Sequence, residues 1–92
     1  MYIESVKLTL YLSHATSLKD KRQVCRSVID KTRQRFNVSI AEVNTQDIIQ
    51  TLTIGIAVVA GDFSHAQNLL DTIIRFIEEN SDAEYVRVEK GE

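Results

Sequence analysis

The chain has 92 residues, 43% hydrophobic and 26% charged, the profile of one small soluble domain spanning residues 1–92. A single cysteine, Cys25, excludes an internal disulfide framework and fits a reducing, cytoplasmic setting, and the longest apolar run, Ile54 to Ala60, is far short of the roughly 20 residues a membrane span needs. The net charge of −2 hides an asymmetry. Residues 1–36 carry eight Lys/Arg against three acids, a net of +5, while residues 37–92 carry three against ten, a net of −7. Such a split hints at contact with a polyanion, although the overall pI of 5.6 points the other way.

The opening "MYIESVKL" has neither the basic start nor the apolar block of a signal peptide. In "YIESVKLTLYL", Val6, Leu8, Leu10 and Leu12 alternate with Ser5, Lys7, Thr9 and Tyr11, which predicts a first strand. A helix follows over about Leu18 to Phe36, with Leu18, Cys25, Val28, Ile29, Thr32 and Phe36 on its apolar side. "NVSIAEV" is a second strand and "TLTIGIAVVA" a third, joined by a turn at "NTQD". After Gly61-Asp62, Ser64 and Gln67 form a capping box for a second helix reaching about Glu79, with Ala66, Leu69, Leu70, Ile73 and Ile77 as its stripe. "AEYVRVE" is a short fourth strand.

The order β-α-β-β-α-β predicts an α+β, ferredoxin-like split βαβ sandwich: a four-stranded antiparallel sheet of order 4-1-3-2 with two helices on one face. In that topology the loop "SHATS" shares an end of the sheet with the 44–49 hairpin and the turn near Asn80. His14 and His65 fall at opposite ends and cannot form one site.

No catalytic constellation emerges. Two separated histidines and one cysteine give no metal-ligand spacing, and the three glycines are too scattered for a phosphate loop. Cys25 falls on the buried side of its helix, and His14 is a lone loop histidine. Neither a metal nor a cofactor is expected, and the reading is non-enzymatic.

The stretch "SLKDKR", Ser17 to Arg22, carries the most specific signal. It begins a helix with three cations, where the dipole favours anions and each exposed cation costs about 0.3–1 kcal/mol. On a helical wheel Lys19, Arg22, Arg26 and Arg33 fall within about 60° of one another, beside the apolar face. A phosphate held by the helix start, with Ser17 as cap and Lys19, Lys21 and Arg22 around it, would offset the repulsion. The competing reading is a plain solvated face, neutralised by Asp20, Asp30 or acids such as Asp47. A second surface is the open sheet face, where the third strand presents Thr53, Gly55 and Ala57, flanked by Tyr11, Tyr85, Lys7 and Arg87. A small, smooth centre without aromatics does not stack bases but suits packing against another sheet, so Tyr11, Thr53, Gly55 and Ala57 form a candidate homo-oligomer interface, a dimer foremost.

"SLKDKR", "RFNVSIAEV", "QDIIQ" and "GIAVVAGD" in this order resemble the YlxP-like family of small bacterial proteins, over nearly the whole chain. The resemblance implies a ferredoxin-like fold without established catalytic residues. Family genes often lie beside those for a translation initiation factor and a ribosome maturation factor, which implies a role in ribosome or RNA biology. The expected function is therefore an RNA- or ribosome-associated protein using Ser17, Lys19, Lys21, Arg22, Arg26 and Arg33 for phosphates. The alternative is an oligomeric interaction module with no nucleic acid.

Overall fold

The structure, a computed structural model, describes residues 1–91; the side chain of Tyr85 lies outside the described set. The elements are β1 (Tyr2–Tyr11), α1 (Leu18–Arg35), β2 (Ser39–Glu42), β3 (Thr51–Ala60), α2 (Phe63–Glu79) and β4 (Tyr85–Lys90). The sheet runs β2-β3-β1-β4 with every pairing antiparallel, the ferredoxin-like order expected from the sequence.

β1 and β3 pair over ten residues, from Tyr2↔Ala60 to Tyr11↔Thr51. That register places Val6, Leu8 and Leu10 on the same face as Leu52, Ile54, Ile56 and Val58, all buried. The helices close this face with Cys25, Val28 and Thr32 from α1 and Ala66, Leu70, Ile73 and Ile77 from α2. Thr32 enters the core without penalty because its hydroxyl donates to Val28 O at 2.7 Å. The C-terminal end of α1 is fixed by an edge-to-face contact of Phe36 with Phe76, over which the Arg35 guanidinium sits 5.4–5.9 Å from both ring centres. Past β4, Gly91 N–H donates to Ser5 O at 2.9 Å, and an added Cβ there would stand 1.7 Å from Ser5 Oγ. Only glycine fits that approach.

The expected loop end is present. Gln50 Nε2 donates to Ser13 O and Ala15 O, Ser13 Oγ bonds Glu84, and Glu84 N–H donates to Tyr11 O. The 12–17 loop, the 43–50 segment and the approach to β4 are thus tied together.

The start of α2 differs from expectation. Its cap is Asp62, whose Oδ1 accepts His65 N–H at 2.8 Å, so the helix begins at Phe63 and Ser64 lies inside it. Gln67 instead donates to Glu4 Oε1 at 2.6 Å. A carboxylate caps more strongly here because it also meets the positive helix end. Asp62→Ala should cost about 1 kcal/mol in urea unfolding, and Ser64→Ala only a few tenths. Equal costs would mean the cap lies elsewhere.

Candidate functional site

Ser17 caps α1 as the sequence suggests, its Oγ accepting Asp20 N–H at 3.1 Å. Asp20 does not complete the usual box. Its Oδ2 reaches one residue further back and accepts both Thr16 N–H (3.0 Å) and Thr16 Oγ1–H (2.8 Å). These hydrogen bonds from Thr16 hold the carboxyl below the usual aspartate range. The helix end is therefore filled by its own cap, with a carboxylate standing where a phosphate was expected. Ser17 belongs to the fold rather than to a binding surface.

Lys21 departs furthest from its expected role. It is 1% exposed, and its ammonium sits in a cage of carbonyl oxygens: Thr45 at 2.5 Å, Ile48 at 2.6 Å, Gln46 at 3.0 Å and Thr51 at 3.3 Å. Glu42 Oε2 stands 3.4 Å away and supplies the counter-charge. A lysine is almost never buried unless paired, and three N–H donors shared among five oxygens satisfy that condition. Lys21 cannot reach a phosphate, because its charge is spent in folding the 43–50 segment over the start of α1. The wheel held the missing signal: at 300° from Leu18, Lys21 falls between Val28 and Thr32 in the buried arc. Asn44, at φ 54°, and the turn closed by Ile48 N–H to Thr45 O (3.0 Å) bring the carbonyls round to face one point.

Glu42 also abuts Cys25. Burial, followed by the Glu42 charge, pushes this thiol up to about 11. The unfolded thiol, near 9, ionises first, so the stability that Cys25 contributes is intact below pH 9 and lost as pH rises through 11. Alkylation with iodoacetamide at pH 8 should leave the folded protein almost unmodified while urea-unfolded protein reacts fully. Rapid labelling of the native state would contradict the buried thiol.

Lys19, Arg22 and Arg26 are exposed and, with Gln23, Ser27 and Asp30, line an open groove of about 490 Å3 along α1. Among the described residues no carboxylate lies within ion-pair distance of any of the three, so neither Asp20, Asp30 nor Asp47 pairs with them. Arg33 continues the stripe and donates to Ile40 O at 3.0 Å, covering an outward carbonyl of the edge strand β2.

The other expected surface is altered at its centre. Thr53 is 3% exposed, its hydroxyl bonded to Thr45 Oγ1 at 2.8 Å. A Cβ added at Gly55 would already meet Val43 Cγ1 at 3.4 Å. Val43 continues the β2–β3 ladder through its N–H to Thr53 O and lays its methyls over the glycine. Thr53 is therefore buried against its own chain and offers no contact surface, Gly55 is partly covered by Val43, and Ala57 stays half-buried and Tyr11 exposed.

His14 and His65 are both exposed, and among the described residues no three His, Cys, Asp or Glu side chains converge to hold a metal. No helix among them is long and apolar enough to cross a membrane.

Comparisons with known proteins bear on the fold and on the family. Over 99% of its length the chain is similar to a de novo designed protein with ferredoxin fold, covering 84% of that chain at a TM-score of 0.62 and 19% identity, which bears on the fold alone. It is 36% identical over 64 residues to the uncharacterized protein YlxP of Bacillus subtilis (strain 168), 70% of each chain. Residues 3–90 match the model of a family described as "Protein of unknown function (DUF503)". With a family match over almost its full length and that relative beside it, the chain belongs to the YlxP-like DUF503 family.

Proposed function

We propose that this protein is a non-enzymatic, cytoplasmic RNA-binding protein acting on the ribosome or its maturation, and that Lys19, Arg22, Arg26 and Arg33 contact phosphates along α1. The observation that carries this reading is the unpaired state of Lys19, Arg22 and Arg26. Three cations on one exposed helix face, in a protein of net charge −2, have no counter-ion among the described residues. At 1.5 Å rise per residue they stand about 4.5 and 6 Å apart along the axis, a spacing that lets one cation meet each successive phosphate of a strand. Contacts of this kind position a nucleic acid without reading its sequence, so selectivity would come from RNA shape.

Co-sedimentation of the protein with separated ribosomal subunits and with total RNA, at low and moderate salt, tests the reading. Subunit or RNA binding that is lost in the Arg22→Glu/Arg26→Glu variant is the expected result. An absence of binding at either salt would leave the stripe as solvated surface.

A further inference from the structure

The two edges of the sheet are finished differently. β2 is only four residues long, and the Arg33 guanidinium takes its outward Ile40 carbonyl. β4 is bare, and two hydrogen bonds fix which of its groups point outward. Leu12 N–H donates to Gln50 O, so the even-numbered residues of β1 bond β3; Gly91 N–H donates to Ser5 O, so the odd-numbered ones bond β4. Residues 85, 87, 89 and 91 therefore turn their backbone groups to β1, while Val86, Val88 and Lys90 turn theirs away from the sheet. Among the described residues nothing bonds those outward groups. Neither a proline nor a bulge interrupts the strand, whose register runs evenly from Val6↔Lys90 to Tyr11↔Tyr85. Val88, at its middle, is 47% exposed.

We infer that a second copy of this chain pairs with this edge, β4 against β4 in antiparallel register about a two-fold axis at Val88, so that one sheet continues through both copies. The charges of the strand select that occupant. With Val88 opposite its own copy, Val86 faces Lys90, and the outward groups of these three residues close about six hydrogen bonds across the seam. The same register sets Arg87 opposite Glu89 on both sides of the axis. These are non-hydrogen-bonded pairs, in which side chains approach most closely and opposite charges stabilise. Lys7 already stands opposite Glu89, and Thr9 opposite Arg87, so each row across the seam reads Lys7, Glu89, Arg87, Thr9. Within one copy Arg87 Nε and Glu89 Oε1 are 3.4 Å apart, and the seam joins two such pairs into one network. Sliding the strands one pleat either way sets Arg87 against Arg87 or Glu89 against Glu89 and forms fewer bonds. Lys90 faces a valine, and its two copies lie about 14 Å apart at opposite ends of the seam. A foreign strand would supply the backbone bonds but not this order of charges. α1 packs over β2 and β3, away from this edge, and its stripe stays open. A single strand pair belongs to the small, weak class of interface, so the dimer forms between micromolar and millimolar protein. At the nanomolar protein of an RNA titration it is absent, and Arg87→Glu there changes charge alone.

Sedimentation equilibrium from micromolar to near-millimolar protein tests this. A mass rising from the 10.5 kDa monomer towards twice that value is expected. Arg87→Glu and Glu89→Arg each set like charges across the seam, and each alone should hold the monomer mass with its circular dichroism unchanged. Mixed in equal amounts, the two variants regain opposite charges at both positions, and the dimer should return. If either variant fails to fold, wild-type amide shifts in NMR decide. Concentration-dependent changes centred on Val86, Val88 and Lys90 support the seam, and changes centred elsewhere overturn it. A monomer at every concentration overturns it, as does a dimer that survives either single reversal or a mixture of the two variants that stays monomeric.

Discussion

Replacing Lys21 with methionine should destabilise the protein by about 3–5 kcal/mol, the cost of removing one partner from a buried ion pair. Methionine fills nearly the same volume, so packing alone predicts little loss. What is lost is the ammonium, and with it the common donor for four carbonyls and the counter-charge of Glu42. For a domain of this size each kcal/mol moves the melting midpoint by roughly 4–8 °C, so a fall of at least ~12 °C is expected in thermal denaturation. Glu42→Gln added to Lys21→Met should recover part of it, because a neutral amide tolerates burial that a lone carboxylate does not. Lys19→Met and Arg22→Met, two residues of the same motif, should stay within about 0.5 kcal/mol of the parent. A Lys21→Met protein as stable as Lys19→Met would show that no carbonyl cage forms in solution.

That contrast shows how one motif divides. In "SLKDKR" the cap at Ser17 was legible because spacing alone defines it. The strand order was legible too, since alternation along β1 and β3 admits one register with Leu8, Leu10, Leu52, Ile54 and Ile56 all inward. The role of Lys21 was hidden because charge suggests exposure, whereas its wheel position says burial; the position prevailed once a carbonyl cage was available. The exposure of Thr53, and in part that of Gly55, was misread for a different reason. Alternation assigns a residue to a face, but it cannot show that Val43 and Thr45, from beyond the end of β2, fold back over that face. At α2 the sequence pointed to Ser64 through its spacing to Gln67, whereas Asp62, two residues earlier, is the cap; the box pattern does not weigh a carboxylate placed just before it. Local rules thus recovered the scaffold, and the misreadings lie where long-range contacts override them.

Charge reversal on the stripe should change the salt dependence of RNA binding more than any other substitution considered. If Lys19, Arg22, Arg26 and Arg33 each neutralise one phosphate of a single strand, log K falls with log salt at a slope of about −0.7 per contact, or roughly −2.8 in total. Raising salt from about 50 to 200 mM then weakens binding about 50-fold. Arg22→Glu/Arg26→Glu leaves two contacts, a slope near −1.4 and a loss of only about sevenfold over the same range. Affinity at low salt should also fall, since two attractions become repulsions. Arg87→Glu is the informative control. Arg87 already faces Glu89 at 3.4 Å on β4, away from the stripe, so reversing it alters net charge equally per residue without touching the contact surface. A slope that follows net charge, moving as much per residue for Arg87→Glu as for the stripe variant, would mean diffuse attraction and remove α1 as a site. A slope that moves only with Arg22 and Arg26, and stays unchanged in Lys21→Met measured where that variant remains folded, would locate the phosphates on the outer face of the helix. It would also separate the binding half of the motif from the half that builds the fold.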